Sequence, residues 1–249
     1  MKRLDQANQV DALLKLARKA NKRAESKSPN TPEWKLVSDL ENNPHLFLLA
    51  CIAMRQVKAE IAWAIPLHIK KTVGSVAFSK LLALNERQWQ NILKGTGHRY
   101  YKQLARDYPL ALQKIKSEYQ SRADNVWNGT PSSITVMIRL RDFSGVGPKI
   151  ASMTLDILVR NFDVVLKDYS ALDIAADVHV RRVMHRLGLI PRSDWNDLAI
   201  WKAREMNPKY PAIFDSLFWN VGRDFCHPTK PECPSCPLNK LCEFATSTS

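Results

Sequence analysis

The sequence predicts an all-α protein, and three observations lead there. Apolar residues recur at the three-to-four spacing of helix faces in most segments. Strand signals are scarce: no run alternates apolar and polar residues between turn pairs. Glycine is sparse, 8 in 249 residues, so sharp turns are confined to a few places. No repeat of solenoid period is present. Many helices joined by short loops are expected.

In chain order, Val10, Leu13, Leu14, Leu16 and Ala17 form an apolar stripe, with Lys15, Arg18, Lys19, Lys22 and Arg23 mostly off it. That pattern predicts an amphipathic helix. Residues 26–31 read as a loop ending in a Thr31-Pro32-Glu33 helix start. The apolar run from Leu46 to Met54 predicts a core helix with Cys51 as a buried thiol. Gly95 and Gly97 bracket a turn before His98-Arg99-Tyr100-Tyr101-Lys102.

Residues 138–158 read as helix, tight turn, helix. Gly145 and Gly147 supply positive φ and close approach, and Pro148 suits the first turn of the second helix. The amides at that helix start favour an anion such as a DNA phosphate, or the turn simply joins two core helices. Leu140, Phe143, Val146 and Ile150 would supply the hairpin's core in either case. Further on, Asp177 is placed to N-cap a helix whose buried face is Val180, Val183, Met184 and Leu187.

The 37 Lys and Arg against 24 Asp and Glu give a formal charge of +13, which points to an acidic partner. Nucleic acid comes first and an anionic membrane surface second; a basic protein with neither remains open. The N-terminal segment has no continuous apolar core, unlike a signal peptide, and Leu46 to Met54 is too short to cross a bilayer. A soluble intracellular protein, cytoplasmic or nucleoid-associated, is expected. Four of five cysteines, Cys226, Cys233, Cys236 and Cys242, crowd near the end. In a reducing compartment such a group binds metal more readily than it forms disulfides. Four thiolates suit zinc or an iron–sulfur cluster. Zinc ribbons pair two C-x2-C knuckles, whereas only one occurs here, flanked by wider gaps.

The run Leu140-x-x-Phe143-x-Gly145-Val146-Gly147-Pro148-Lys149-Ile150-Ala151 resembles the helix-hairpin-helix of the endonuclease III superfamily of DNA glycosylases. The resemblance runs from about Val37 to Phe244 and leaves residues 1–30 unexplained. It implies the helix-hairpin-helix DNA glycosylase fold, two helical lobes with an active-site cleft between them. One lobe is expected at 37–165, a six-helix barrel containing the hairpin. The other is expected at 1–36 plus 166–249, carrying a cluster loop at 226–242. The resemblance implies that Lys149 is the nucleophile, as in the bifunctional glycosylase/lyase branch, and that Asp177 is the catalytic carboxylate. It implies a 4Fe–4S cluster on Cys226, Cys233, Cys236 and Cys242, with zinc as the alternative. DNA contacts are implied for Gln56 as a residue inserted into the base stack, His98 as a second insertion, Arg99, Gly145, Gly147, His179 and Lys230. His179 is expected to be structural or to touch DNA rather than to catalyse.

The chain departs from the family's pattern in three places. Ala59 replaces an acidic residue, Glu232 stands where a second basic residue is usual, and extra chain lies in Arg160–Ala175. The function implied is base-excision repair: a DNA glycosylase with AP lyase activity, acting as a monomer on duplex DNA with a damaged base or abasic site and without a membrane partner. Oxidised pyrimidine is the family's default lesion. An oxidised purine, a deaminated or mismatched base, and a non-catalytic iron–sulfur DNA-binding protein are the alternatives. The amine of Lys149 must be neutral to attack, and a helix start in a partly desolvated cleft would favour that form.

Overall fold

The computed structural model describes residues 6–25 and 30–247. It holds thirteen α-helices: α1 (Gln6–Glu25), α2 (Pro32–Val37), α3 (Pro44–Ile52), α4 (Ala59–Val73), α5 (Phe78–Leu82), α6 (Glu86–Lys94), α7 (Tyr101–Glu118), α8 (Ser133–Arg141), α9 (Pro148–Phe162), α10 (Val178–Arg186), α11 (Asn196–Met206), α12 (Asp215–Asp224) and α13 (Glu243–Ser247). Short 3-10 turns join some of them, and no strand occurs among the described residues. No described helix is long and apolar enough to cross a membrane. The chain divides into two compact units, Ser28–Lys167 and Met1–Lys27 with Asp168–Ser249.

The first unit is built around α3, all nine residues of which are buried. A helix apolar on every side must be surrounded, and α2, α4, α7 and α9 pack against it. Phe47 meets the rings of Trp63, Trp127 and Phe162. Cys51 is fully buried in α3, which pushes its thiol up to about 12. Residues 26–29 of the expected loop lie outside the described residues, as do the side chains of Lys22 and Arg23. Thr31 does cap α2, accepting from the Trp34 amide at 3.2 Å. Trp34 then stands edge-on to Trp63 and stacks on Phe162. These rings correct the expected boundary at 36/37, because they carry α2 into this unit. The unit has eight helices rather than the expected six, since α2 and α5 add short ones.

The second unit closes around α10, α11 and α12, with α1 laid against α12. Leu13 and Ala17 on the α1 stripe are fully buried, alongside Val180, Val183, Met184 and Leu187. Burying a side chain such as Leu13 stabilises by about 1.5–3 kcal/mol, so α1, which family resemblance left unexplained, is part of the core. Gln9 adds a polar fastening. Its amide donates to the carbonyls of Leu187 and Leu241 at 3.1 and 2.9 Å, tying the end of α10 to the cysteine loop.

The extra segment at 160–175 is where the chain passes from one unit to the other. α9 ends at Asp163, whose φ of 51° is left-handed. Leu166, Leu172 and Ile174 are buried along the stretch that follows. Asp173 pairs with Arg204, and Tyr169 packs on Tyr210. The segment is therefore anchored from Leu166 to Ile174.

Candidate functional site

The hairpin forms as its residues predict. Leu140, Phe143, Val146 and Ile150 are buried beneath it. The turn depends on Gly145, at φ 85°. A Cβ there would lie 2.5 Å from Arg55 Nη2 and 2.8 Å from Asp107 Oδ2, so a side chain would strain the backbone and force those two side chains to shift. Gly147 differs from expectation: its φ is −84° and nothing lies within 4 Å of its Cβ direction. Its small size serves the open side of the turn, not the backbone. Pro148 opens α9, and the first intrahelical bond runs from the Ala151 amide to the Gly147 carbonyl. The amides of Lys149 and Ile150 precede that bond, as the first amides of a helix must.

Lys149 is the second residue of α9 and is exposed, with no ion pair among the described residues. The residue sits at the rim of the turn, where the buried face of α9 has not yet begun.

Beside the hairpin unit's core, two loops meet. Gln56, between α3 and α4, is exposed and holds a left-handed φ of 50°. Its Oε1 accepts from the Tyr100 hydroxyl at 2.6 Å. Arg99 is exposed, with its guanidinium over the Tyr100 ring at 5.1 Å. His98 contradicts its expected role as a second inserted residue, being only 2% exposed. Its Nε2 donates to the Ala53 carbonyl at 2.7 Å and its Nδ1 accepts from the Tyr100 amide at 3.1 Å. Those bonds select the neutral Nε2–H tautomer, and burial pushes its pKa down. His98 fastens the turn after α6 to the end of α3, which leaves Arg99 exposed and Tyr100 half-buried beside it.

In the other unit Asp177 caps α10. Its Oδ1 accepts from the amides of His179 and Val180 at 2.8 and 3.0 Å. Oδ2 accepts nothing among the described residues, so half of the carboxylate remains for chemistry. His179 is half-buried, edge-on to Trp219, with Nδ1 against Arg182. Gly222 lets α12 approach it: a Cβ there would meet the His179 Cβ at 2.7 Å. The structure thus gives His179 a packing role.

Cys226, Cys233, Cys236 and Cys242 line a single small cavity with Arg186, Phe225, Pro231, Asn239 and Phe244. Burial first, and then the neighbouring cysteines, push the thiols of Cys236 and Cys242 up. Those two thiols resist ionising unless a cationic group joins them. Among the described residues no three cysteine, histidine or carboxylate side chains converge on a point for a single ion. The four cysteines offer soft sulfur donors, and that donor set suits an iron–sulfur group. Arg186 flanks it: Nη1 donates to Cys226 Sγ at 3.3 Å and to the His227 carbonyl at 2.7 Å. Lys230 is exposed on this loop, and Glu232 lies near His227 at 3.6 Å.

Sequence reasoning missed Arg55, Asp107, Ser144 and the clasp role of Tyr100. The signal for Asp107 was present, since it is an acid on the buried stripe of α7 among Leu104, Ala105, Tyr108 and Ala111. Nothing local marks Ser144 or Tyr100 as its neighbour's partner.

No family model matches the chain. Endonuclease III homolog 1, chloroplastic, of Arabidopsis thaliana is 27% identical over 154 residues, 55% of this chain and 36% of that protein. Endonuclease III of Buchnera aphidicola subsp. Schizaphis graminum is 32% identical over 134 residues, 52% of this chain and 53% of that protein. The matches thus span about a third and a half of those relatives' lengths. A trapped endonuclease III–DNA covalent intermediate superposes with a TM-score of 0.65 at 20% identity, covering 98% of this chain and 99% of that one. A thermostable thymine-DNA glycosylase gives 0.65 at 17% identity, covering 95% and 98%. The chain is similar in sequence to endonuclease III proteins over about half its length, and its fold is that of these helix-hairpin-helix glycosylase structures.

Proposed function

We propose that the protein is a base-excision repair DNA glycosylase with AP lyase activity, removing a damaged base, an oxidised pyrimidine foremost, from duplex DNA as a monomer. The observation that carries this is an exposed lysine, Lys149, at the start of the second hairpin helix, beside amides that have no intrahelical partner. Those amides suit a phosphate. The exposed pair of Gln56 and Arg99, joined through Tyr100, suits the gap left when a nucleotide leaves the stack, a step that costs a few kcal/mol. Lys230 suits a phosphate contact from the cysteine loop.

The chemistry follows from the groups. The neutral Lys149 amine attacks C1′ of the sugar, the N-glycosidic bond breaks, and its electron pair leaves with the base. Docked DNA would supply the desolvation that favours the neutral amine. Asp177 stabilises the positive charge developing on the sugar through Oδ2 and accepts the proton released by the amine. The sugar ring then opens to an imine, and loss of a C2′ proton expels the 3′ phosphate. Cys226, Cys233, Cys236 and Cys242 would hold a 4Fe–4S cluster, whose contribution when bound is to fasten the loop that carries Lys230.

Borohydride added during reaction tests this reading, because only an imine is reduced to a stable protein–DNA bond. Lys149→Gln should abolish the adduct and the strand cut while DNA binding persists. Trapping at the wild-type level in that variant would overturn the assignment. Asp177→Asn should keep the cap, since Asn caps nearly as well as Asp. It should slow base release by about 100-fold or more.

A further inference from the structure

A buried carboxylate lies under the hairpin with no part in this chemistry. Asp107 is 1% exposed. It collects donors from three places: Ser144 Oγ in the hairpin turn at 2.7 Å, Gln103 Nε2 one helical turn back at 3.3 Å, and Arg55 Nη2 at 3.5 Å. Arg55 is the residue before Gln56. Gly145 closes the same contact, because a Cβ there would press on the Arg55 and Asp107 side chains at 2.5 and 2.8 Å. A buried charge is costly unless it is satisfied. A satisfied one fixes the geometry of whatever satisfies it. Two of its three donors come from the Gln56 loop and the hairpin turn, so it is satisfied in full only if the two keep one spacing.

We propose that Asp107 is a positioning residue, a single buried carboxylate that registers the Gln56 loop against the hairpin so that the two engage a duplex together. This rests on the DNA reading above for its consequence, though not for its geometry. The carboxylate is acceptor-only and therefore holds Ser144 and Arg55 at once. An amide in its place would turn a donor toward one of them. Arg55 is then released, and with it the strained backbone at Gln56, whose φ of 50° needs its surroundings to hold it.

The test uses the full-length holoprotein in two arms. In the first, hydrogen exchange without DNA is followed at residues 53–58 and 142–147. Asp107→Asn should raise exchange in both segments together and leave α3 and α10 unchanged. A rise in the hairpin segment alone, or in neither, overturns the proposal. In the second, single-turnover base release should fall about tenfold in Asp107→Asn and in Arg55→Ala, with no further loss in the double variant. Binding to undamaged duplex should change by no more than about twofold. Arg55→Lys should recover part of the rate. Additive losses, or equal losses of rate and of plain binding, overturn it. Should Asp107→Asn fail to fold, Arg55→Ala and Ser144→Ala carry both arms. If the wild-type protein releases no base from any lesion duplex, the base-excision reading fails while the exchange arm still decides the coupling.

Discussion

The hairpin unit and the cysteine loop hold their functional side chains in opposite ways. Every residue of α3 is buried, and the hairpin above it is pinned by Gly145, Ser144 and Asp107 from within. Between Cys226 and Cys242 only Leu238 is buried. That loop is held from outside, by Arg182 on the Cys226 carbonyl at 2.6 Å, Arg186 on the His227 and Pro228 carbonyls, and Gln9 on Leu241. Its centre is a cavity lined by thiols, not a packed core. The comparison teaches that the hairpin is held by contacts within its own unit's core, whereas the cysteine loop has little core of its own and is held by side chains from α1 and α10.

The largest effect should come from breaking the cysteine loop. Cys236→Ser is expected to remove the visible iron–sulfur absorption, expose residues 226–242 to protease and abolish most DNA binding. Residues 28–167 should keep their protease resistance. Metal analysis finding stoichiometric zinc and no iron in the wild-type protein would remove the cluster from this picture.

Gly145→Ala attacks the hairpin unit instead. The left-handed φ and the overlap with Arg55 and Asp107 together should cost about 3 kcal/mol of stability. A shifted urea midpoint would report this, with the cluster absorption unchanged in native conditions. An unchanged midpoint would mean the turn relaxes freely, which would erase the contrast drawn above.

Lys230→Ala sharpens the comparison without breaking either region. Loss of one phosphate contact should flatten the slope of log K against log salt by about 0.9 and leave lesion preference unchanged. An unchanged slope would take Lys230 off the interface.

The smallest effect is on pH dependence in the hairpin unit. Burial lowers the pKa of His98 and of His45. A histidine with a lowered folded pKa contributes stability that is fully present above the unfolded value of about 6.5. That stability is lost as pH falls from there through the folded value. Urea midpoints measured on either side of this window should fall on acidification, and fall less in His98→Gln. A variant as acid-sensitive as the wild type would show that His98 is not held neutral.

What the sequence by itself determined is local in origin. The hairpin helices, the Asp177 cap, the buried face of α10 and the cysteine spacing all come from residues within one or two turns of each other. Helix periodicity, caps and turn glycines act at that range. The tertiary structure decided whatever depends on a partner far along the chain. His98, legible only as an exposed candidate after a glycine, is buried because Ala53 offers it a carbonyl 45 positions away. Lys149 is exposed because the buried face of α9 begins after it. α2 belongs with the hairpin unit because Trp34 finds Trp63 and Phe162. Asp107 could be noticed as an acid on an apolar stripe, but its partners Arg55 and Ser144 come from two other elements. A side chain's type and spacing say what it can bond. Only the packed chain says which donor, from which distant segment, arrives to be bonded.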